Sequence, residues 1–109
     1  MALPLNVFKT VTYVAPTSPV GIYTAPVGYS SVVLLAQVAN VDSVTHSVTF
    51  SHKRTTTTTE IVKDYSVSGN DTSSLLDGRL VLESGDALQL SGSNDSNLKL
   101  TLSILETLN

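Results

Sequence analysis

His46 and His52 are the two side chains best suited to proton chemistry near neutral pH. They are six residues apart, so in an extended strand they share a face about 20 Å from each other. At that spacing they cannot hold one metal ion without other partners, and no set of two histidines and a carboxylate is visible. Both are in phase with Val48 and Phe50, which makes them partly buried histidines at the rim of a core. Serine and aspartate are abundant, but no Gly-x-Ser-x-Gly elbow is present, and abundance alone does not mark a nucleophile.

The carboxylates give no stronger signal. Glu60 and Asp64 are in phase on one expected strand, about 13 Å apart. A glycosidase pair needs roughly 5–9.5 Å. Glu83 and Asp86 flank Ser84-Gly85 and are read as solubilising a hairpin turn. The Asn/Asp/Ser loops at 68–74 and 91–97 offer oxygen ligands for calcium but match no EF-hand or β-roll spacing, so turn formation is the reading. Asn70-Asp71-Thr72 and Asn94-Asp95-Ser96 are formal glycosylation sequons. There is no phosphate-binding loop, no dinucleotide fingerprint and no cysteine, so disulfides and thiolate chemistry are excluded. The expectation is no catalytic residue, no cofactor and no metal.

The surrounding elements are strands. Leu98, Leu100, Leu102 and Ile104 alternate with Lys99, Thr101 and Ser103, the pattern of a strand with one face buried. Val48 and Phe50 alternate with Ser47, Thr49 and Ser51 in the same way. Val7, Lys9, Val11 and Tyr13 share one face, with Phe8, Thr10, Thr12 and Val14 on the other. The run Ser31–Asn40 is almost continuously apolar and suits a central strand covered on both faces. Turn signals at Ala25-Pro26-Val27-Gly28, Ser68–Asp71, Asp77-Gly78, Ser84–Asp86 and Ser91-Gly92 punctuate the chain at sandwich-like intervals. Strands are expected near 5–14, 20–24, 31–39, 45–53, 59–67, 79–83, 86–91 and 97–106. Thr72–Leu76 is the best helical candidate, a single turn. The fold class is all-β: a compact antiparallel β-sandwich, jelly-roll-like, of about eight strands.

The 109 residues fit one domain, with a Pro-rich connection at 15–19 and a Thr-rich hairpin tip at 53–60. Hydrophobic residues make up 41% and charged residues 14%, enough apolar content for a core. A net charge of −3 gives no electrostatic reason to bind nucleic acid or an acidic membrane. The start of the chain lacks the charged and apolar regions of a signal peptide, and the apolar run Val32–Ala36 is too short to cross a bilayer. The five consecutive threonines in Lys53–Glu60 suggest either an exposed hairpin tip or an arm that adds a strand to a neighbour.

Four segments carry a resemblance. Ile22–Gly28 (IYTAPVG), Ser31–Asn40 ending in VAN, Leu75–Asp86 (LLDGRLVLESGD) and Leu98–Glu106 ending in SILE are similar to recurring pieces of small virion structural proteins of tailed bacteriophages, especially those infecting marine bacteria such as cyanobacteria. The match spans nearly the whole chain. It implies a β-sandwich built into the particle without enzymatic activity. A capsid decoration or cement protein is the role expected, with a neck, tail or baseplate subunit as the alternative and a host-surface glycan-binding module as the alternative of another class. The partners implied are other phage structural proteins, such as the major capsid protein or tail and neck proteins, and copies of itself in a homo-oligomer, with no nucleic acid and no membrane. The implied location is the virion, after synthesis in the host bacterial cytoplasm. Leu3–Pro19 and Lys53–Glu60 are the candidate contact segments.

Overall fold

A computed structural model describes residues 5–109 and contains nine strands and no helix among them. The strands are β1 Asn6–Val14, β2 Val20–Thr24, β3 Tyr29–Asn40, β4 His46–Arg54, β5 Thr57–Val67, β6 Asp71–Ser74, β7 Leu80–Leu82, β8 Ala87–Gly92 and β9 Leu98–Leu108. They pair as one long antiparallel ribbon folded in its middle. The Thr55-Thr56 turn joins β4 to β5, β3 runs against β6 and β7, β2 against β8, and β1 against β9. Wrapping that ribbon adds two more pairings, β3 with β9 and β4 with β8. The first sheet is then β1-β9-β3 with β6 and β7 along the far edge of β3, and the second is β2-β8-β4-β5. This nesting is the jelly-roll form of the expected all-β sandwich.

The core lies between the sheets. Leu98, Leu100, Leu102 and Ile104 of β9 are buried, as their alternation requires, with Val33 and Val38 of β3 beside them. Val48, Phe50, Leu88 and Leu90 supply the buried face of the second sheet. Phe50 is the bulkiest of these, and truncating such a ring costs about 3–5 kcal/mol.

Three expectations are corrected. Thr72–Leu76 is not a helical turn: Asp71–Ser74 form β6, paired with Gln37–Asn40, and the Leu75 amide donates to the Ala36 carbonyl at 2.8 Å. Long-range pairing outweighs the weak helical tendency of a short Ser/Thr run. β3 is central, but only one of its faces is covered. Leu34 is the extra residue of a bulge between Val33 and Leu35, so the buried set shifts from Ser31 and Val33 to Ala36, Val38 and Asn40. The continuous apolar run therefore reflects a change of phase and an apolar outer face. Finally, Glu60 and Asp64 are not in phase with Val62, because β5 carries two extra residues relative to β4. Asp64 lies at one of these irregularities with φ 49° and donates its amide to Thr49 Oγ1.

Candidate assembly surface and the buried carboxylates

The outer face of the first sheet follows from its register. Phe8 lies opposite Leu105, Leu105 opposite Val32, and Val32 opposite Val81, so one apolar rung crosses all four strands. Its ends are open to solvent, Phe8 at 75% and Val81 at 59% exposure. The next rung is Thr10, Ser103 and Leu35, and the one beyond is Thr12, Thr101, Gln37 and Ser74. Among the described residues, the register places one charged side chain on this face, Lys99, opposite Val14 and Ala39 at one end. Neutral polar rungs flanking an apolar one resemble the centre of a protein interface more than an ordinary surface, where charges are frequent.

The sheet edges differ. β5 is broken by its two bulges, β2 is five residues long with an irregularity at Gly21/Tyr23, and the β6–β7 edge is interrupted by Leu75–Arg79. β1 is nine residues long and pairs with β9 without a shift from Asn6 to Val14. Of the two expected contact segments, Lys53–Glu60 forms the β4–β5 tip, exposed from Arg54 onward. Leu5–Pro19 is β1 and its continuation, while Leu3 and Pro4 lie outside the described residues.

Two buried carboxylates tie the sandwich together near one end. Glu106 on β9 is 3% exposed. Tyr23 reaches it from the other sheet and donates its hydroxyl to Oε2 at 2.5 Å. Ser31 Oγ lies 2.8 Å from the same hydroxyl, and Lys9 Nζ lies 3.3 Å from Oε1. Burial, then the hydrogen bond to Glu106, pushes the Tyr23 phenol up to about 12.

Asp86 is 2% exposed and is not a turn solubiliser. Arg54 donates Nε to Oδ1 at 2.9 Å and Nη2 to Oδ2 at 2.7 Å. His52 Nε2 sits 3.0 Å from Oδ2, and the Glu83 amide donates to that oxygen across the turn. The Arg54 fork, reinforced by His52 and the Glu83 amide, holds the Asp86 carboxyl well below the usual carboxylate range despite burial. The two turns near this end are bound to each other. The Ala25 amide donates to the Asp86 carbonyl, the Gly85 amide to the Ala25 carbonyl, and Ser84 Oγ to the Tyr29 carbonyl. All four segments singled out in the sequence, Ile22–Gly28, Ser31–Asn40, Leu75–Asp86 and Leu98–Glu106, therefore contribute to the Tyr23 and Asp86 clusters.

His46 is engaged separately at the other end of β4. Its Nε2 lies 2.9 Å from Asp42 Oδ2, an oxygen that also accepts from Asn97 Nδ2. Asn40, almost fully buried, fastens this end by donating Nδ2 to the Val44 and Val67 carbonyls. Both histidines are half-buried at the rim, as their phase implied. Their aspartate partners, four and 34 residues away, had no local sequence signal. In the loops considered for calcium, Asp71, Asn94 and Asp95 accept backbone amides, and among the described residues no group of three histidine or carboxylate side chains could hold a metal. The exposed tyrosines are not gathered: Tyr13 is on β1 and Tyr65 on β5, in different sheets. Chemically, these arrangements hold charge in place inside the sandwich.

No family model matches the chain, and no curated protein matches it. Among solved structures, it is similar in fold to a chain of the acidic stable capsid structure of Helicobacter pylori bacteriophage KHP30. The TM-score is 0.57 at 14% identity, over 96% of this chain and 89% of that one. A pentameric capsid protein isolated from metagenomic phage sequences aligns at TM-score 0.46 and 16% identity, over 90% of this chain and 60% of that one. A chain of the Bacillus endospore appendages, described as disulfide-linked pili, aligns at TM-score 0.44 and 13% identity, over 95% and 88% of the two chains.

Proposed function

We propose that this protein is a non-enzymatic structural component of a bacteriophage virion, a decoration or cement subunit seated on the capsid. The observation that carries the reading is the outer face of the first sheet, with its apolar rung Phe8–Leu105–Val32–Val81 and, among the described residues, Lys99 as the one charge that its strand register places there. Three strands of nine or more residues, with the short β6 and β7 beside them, make a patch of roughly 500 Å², over half of the about 800 Å² that one side of a standard protein interface buries. Covering it desolvates almost no charge, so the apolar rung contributes without the penalty that buried ions impose. The fold likeness to a chain of a phage capsid structure and the four virion-like segments support the same assignment. On a particle, the subunit stabilises the shell by burying surface across neighbouring capsid subunits.

Gold-labelled antibody against the chain, viewed by electron microscopy on intact particles of the phage that encodes it, tests the reading. Label spread over the head is the expected result. Label confined to the neck, tail or baseplate would move the protein there, and its absence from purified particles by mass spectrometry would overturn a virion role.

A further inference from the structure

The four sheet edges are not treated alike. A bare strand edge is a template for another strand, and proteins blunt it with bulges, breaks, prolines or charge. β5 has two bulges, β2 is short and lies between Pro19 and Pro26, and β6 and β7 are separate pieces. β1 has no bulge, break or proline over its nine residues, and Lys9 is its sole charge. Lys9 is already compensated by Glu106 at 3.3 Å. Among the described residues, β1 pairs only with β9.

We infer that the free edge of β1 is a self-association site that pairs antiparallel with β1 of a second copy about a twofold axis at Thr10. The strand is self-complementary in that register. Thr10 meets its own twin, Phe8 faces the partner's Thr12, and Tyr13 faces the partner's Val7. Both are pairings of an aromatic with a β-branched residue, which favour a sheet. Lys9 faces the partner's Val11, so the two lysines are not opposed and each keeps its Glu106. A twofold centred on Lys9 would instead place like charges directly opposite. Centring on Thr10 also uses all nine residues, joins the two first sheets into one of ten strands, and continues the nearly charge-free outer faces side by side. A second copy is favoured over an unrelated strand because β1 brings both the complementary side chains and the compensated charge.

The absence of cysteine makes the test direct. Thr10→Cys places two sulfurs on the proposed axis. Opposed residues of an antiparallel pair have Cα atoms about 4.5–5.5 Å apart, within disulfide reach. Thr12→Cys is the control, since its twin would lie about 13 Å away along the strand. Mild oxidation of the purified protein is expected to link Thr10→Cys at least tenfold faster than Thr12→Cys. Sedimentation of the unmodified chain from micromolar to millimolar concentration is expected to show a dimer. Thr10→Lys, with its sheet content checked by circular dichroism, is expected to be monomeric. A chain monomeric throughout, a dimer untouched by Thr10→Lys, or equal linking of the two cysteine variants would overturn the assignment. Because purified protein is used, this result is independent of whether the chain is found on particles.

Discussion

Arg54, at the end of β4, holds both carboxylate oxygens of Asp86 with its Nε and Nη2, 32 residues away in sequence and beside the Ser84-Gly85 turn. The clamp fixes the tip-side end of β4 to the β7–β8 connection. Asp86 is buried while Arg54 is half exposed, so the pair is reached by water on one side and is weaker than a fully buried one.

A carboxylate depressed in the folded state stabilises the fold above its unfolded pKa, near 3.9, and that contribution drains away as pH falls below it. Asp86→Asn keeps the shape but loses the charge. It is expected to cost about 1–3 kcal/mol near neutral pH and to flatten the loss of stability below about pH 4. Thermal melts of both proteins from neutral to acidic pH check this. Parallel curves would mean that Asp86 is not the group being titrated.

Regular alternation made β9 and most of β4 legible, because one phase runs their whole length and one face is buried. Gly78 and Gly85 are likewise at positive φ where the turns Asp77-Gly78 and Ser84–Asp86 were expected. β3 was legible only in part. One extra residue, Leu34, reverses the face of everything after it, and an apolar bulge residue looks like any other apolar residue. The buried carboxylates were hidden for a different reason. Glu106 closes the expected strand in phase with Leu102 and Ile104, but nothing local marks its partner Tyr23, 83 residues away on the opposite sheet. Only the wrap of the ribbon brings them together.

Tyr23 supplies the alkaline counterpart of Asp86. Its phenol is raised to about 12, so it favours the fold below its unfolded pKa and withdraws that support as pH rises between about 10 and 12. A titration of tyrosinate absorbance is expected to show one phenol ionising near 12, and Tyr23→Phe is expected to remove that step. The variant also leaves Glu106 with one donor fewer in a buried place, at a cost of about 1–2 kcal/mol. A late-ionising phenol that persists in Tyr23→Phe would place the shift on another tyrosine.

Gly69 is needed for close approach. A Cβ there would lie 2.3 Å from the Ser43 carbonyl oxygen and 2.4 Å from its carbon, both backbone atoms. The two loops are joined by the Asn70 amide donating to the Asp42 carbonyl at 2.8 Å, so neither yields without breaking that bond. Gly69→Ala is expected to cost about 2 kcal/mol or more, lowering Tm by roughly 8 °C. Gly21→Ala, where a Cβ meets nothing within 4 Å, serves as the tolerated comparison. Equal melting of the two variants would show that the Ser43 loop moves aside freely.

Thr55 opens the two-residue turn between β4 and β5 with φ 57°, a conformation unfavourable for a β-branched side chain. Asparagine tolerates that backbone without adding the unfolded-state freedom of glycine. Thr55→Asn is therefore expected to stabilise the chain by about 0.5–1 kcal/mol, raising Tm by a few degrees. Thr56 has the same side chain in the same turn but is not at positive φ, so Thr56→Asn is expected to leave Tm unchanged. Thr55→Pro, locked near φ −65°, is expected to lower it. Differential scanning calorimetry of the three variants separates backbone strain from composition. If both asparagine variants stabilise equally, the gain comes from removing a β-branched residue from an exposed turn, and the strain at Thr55 is not its source.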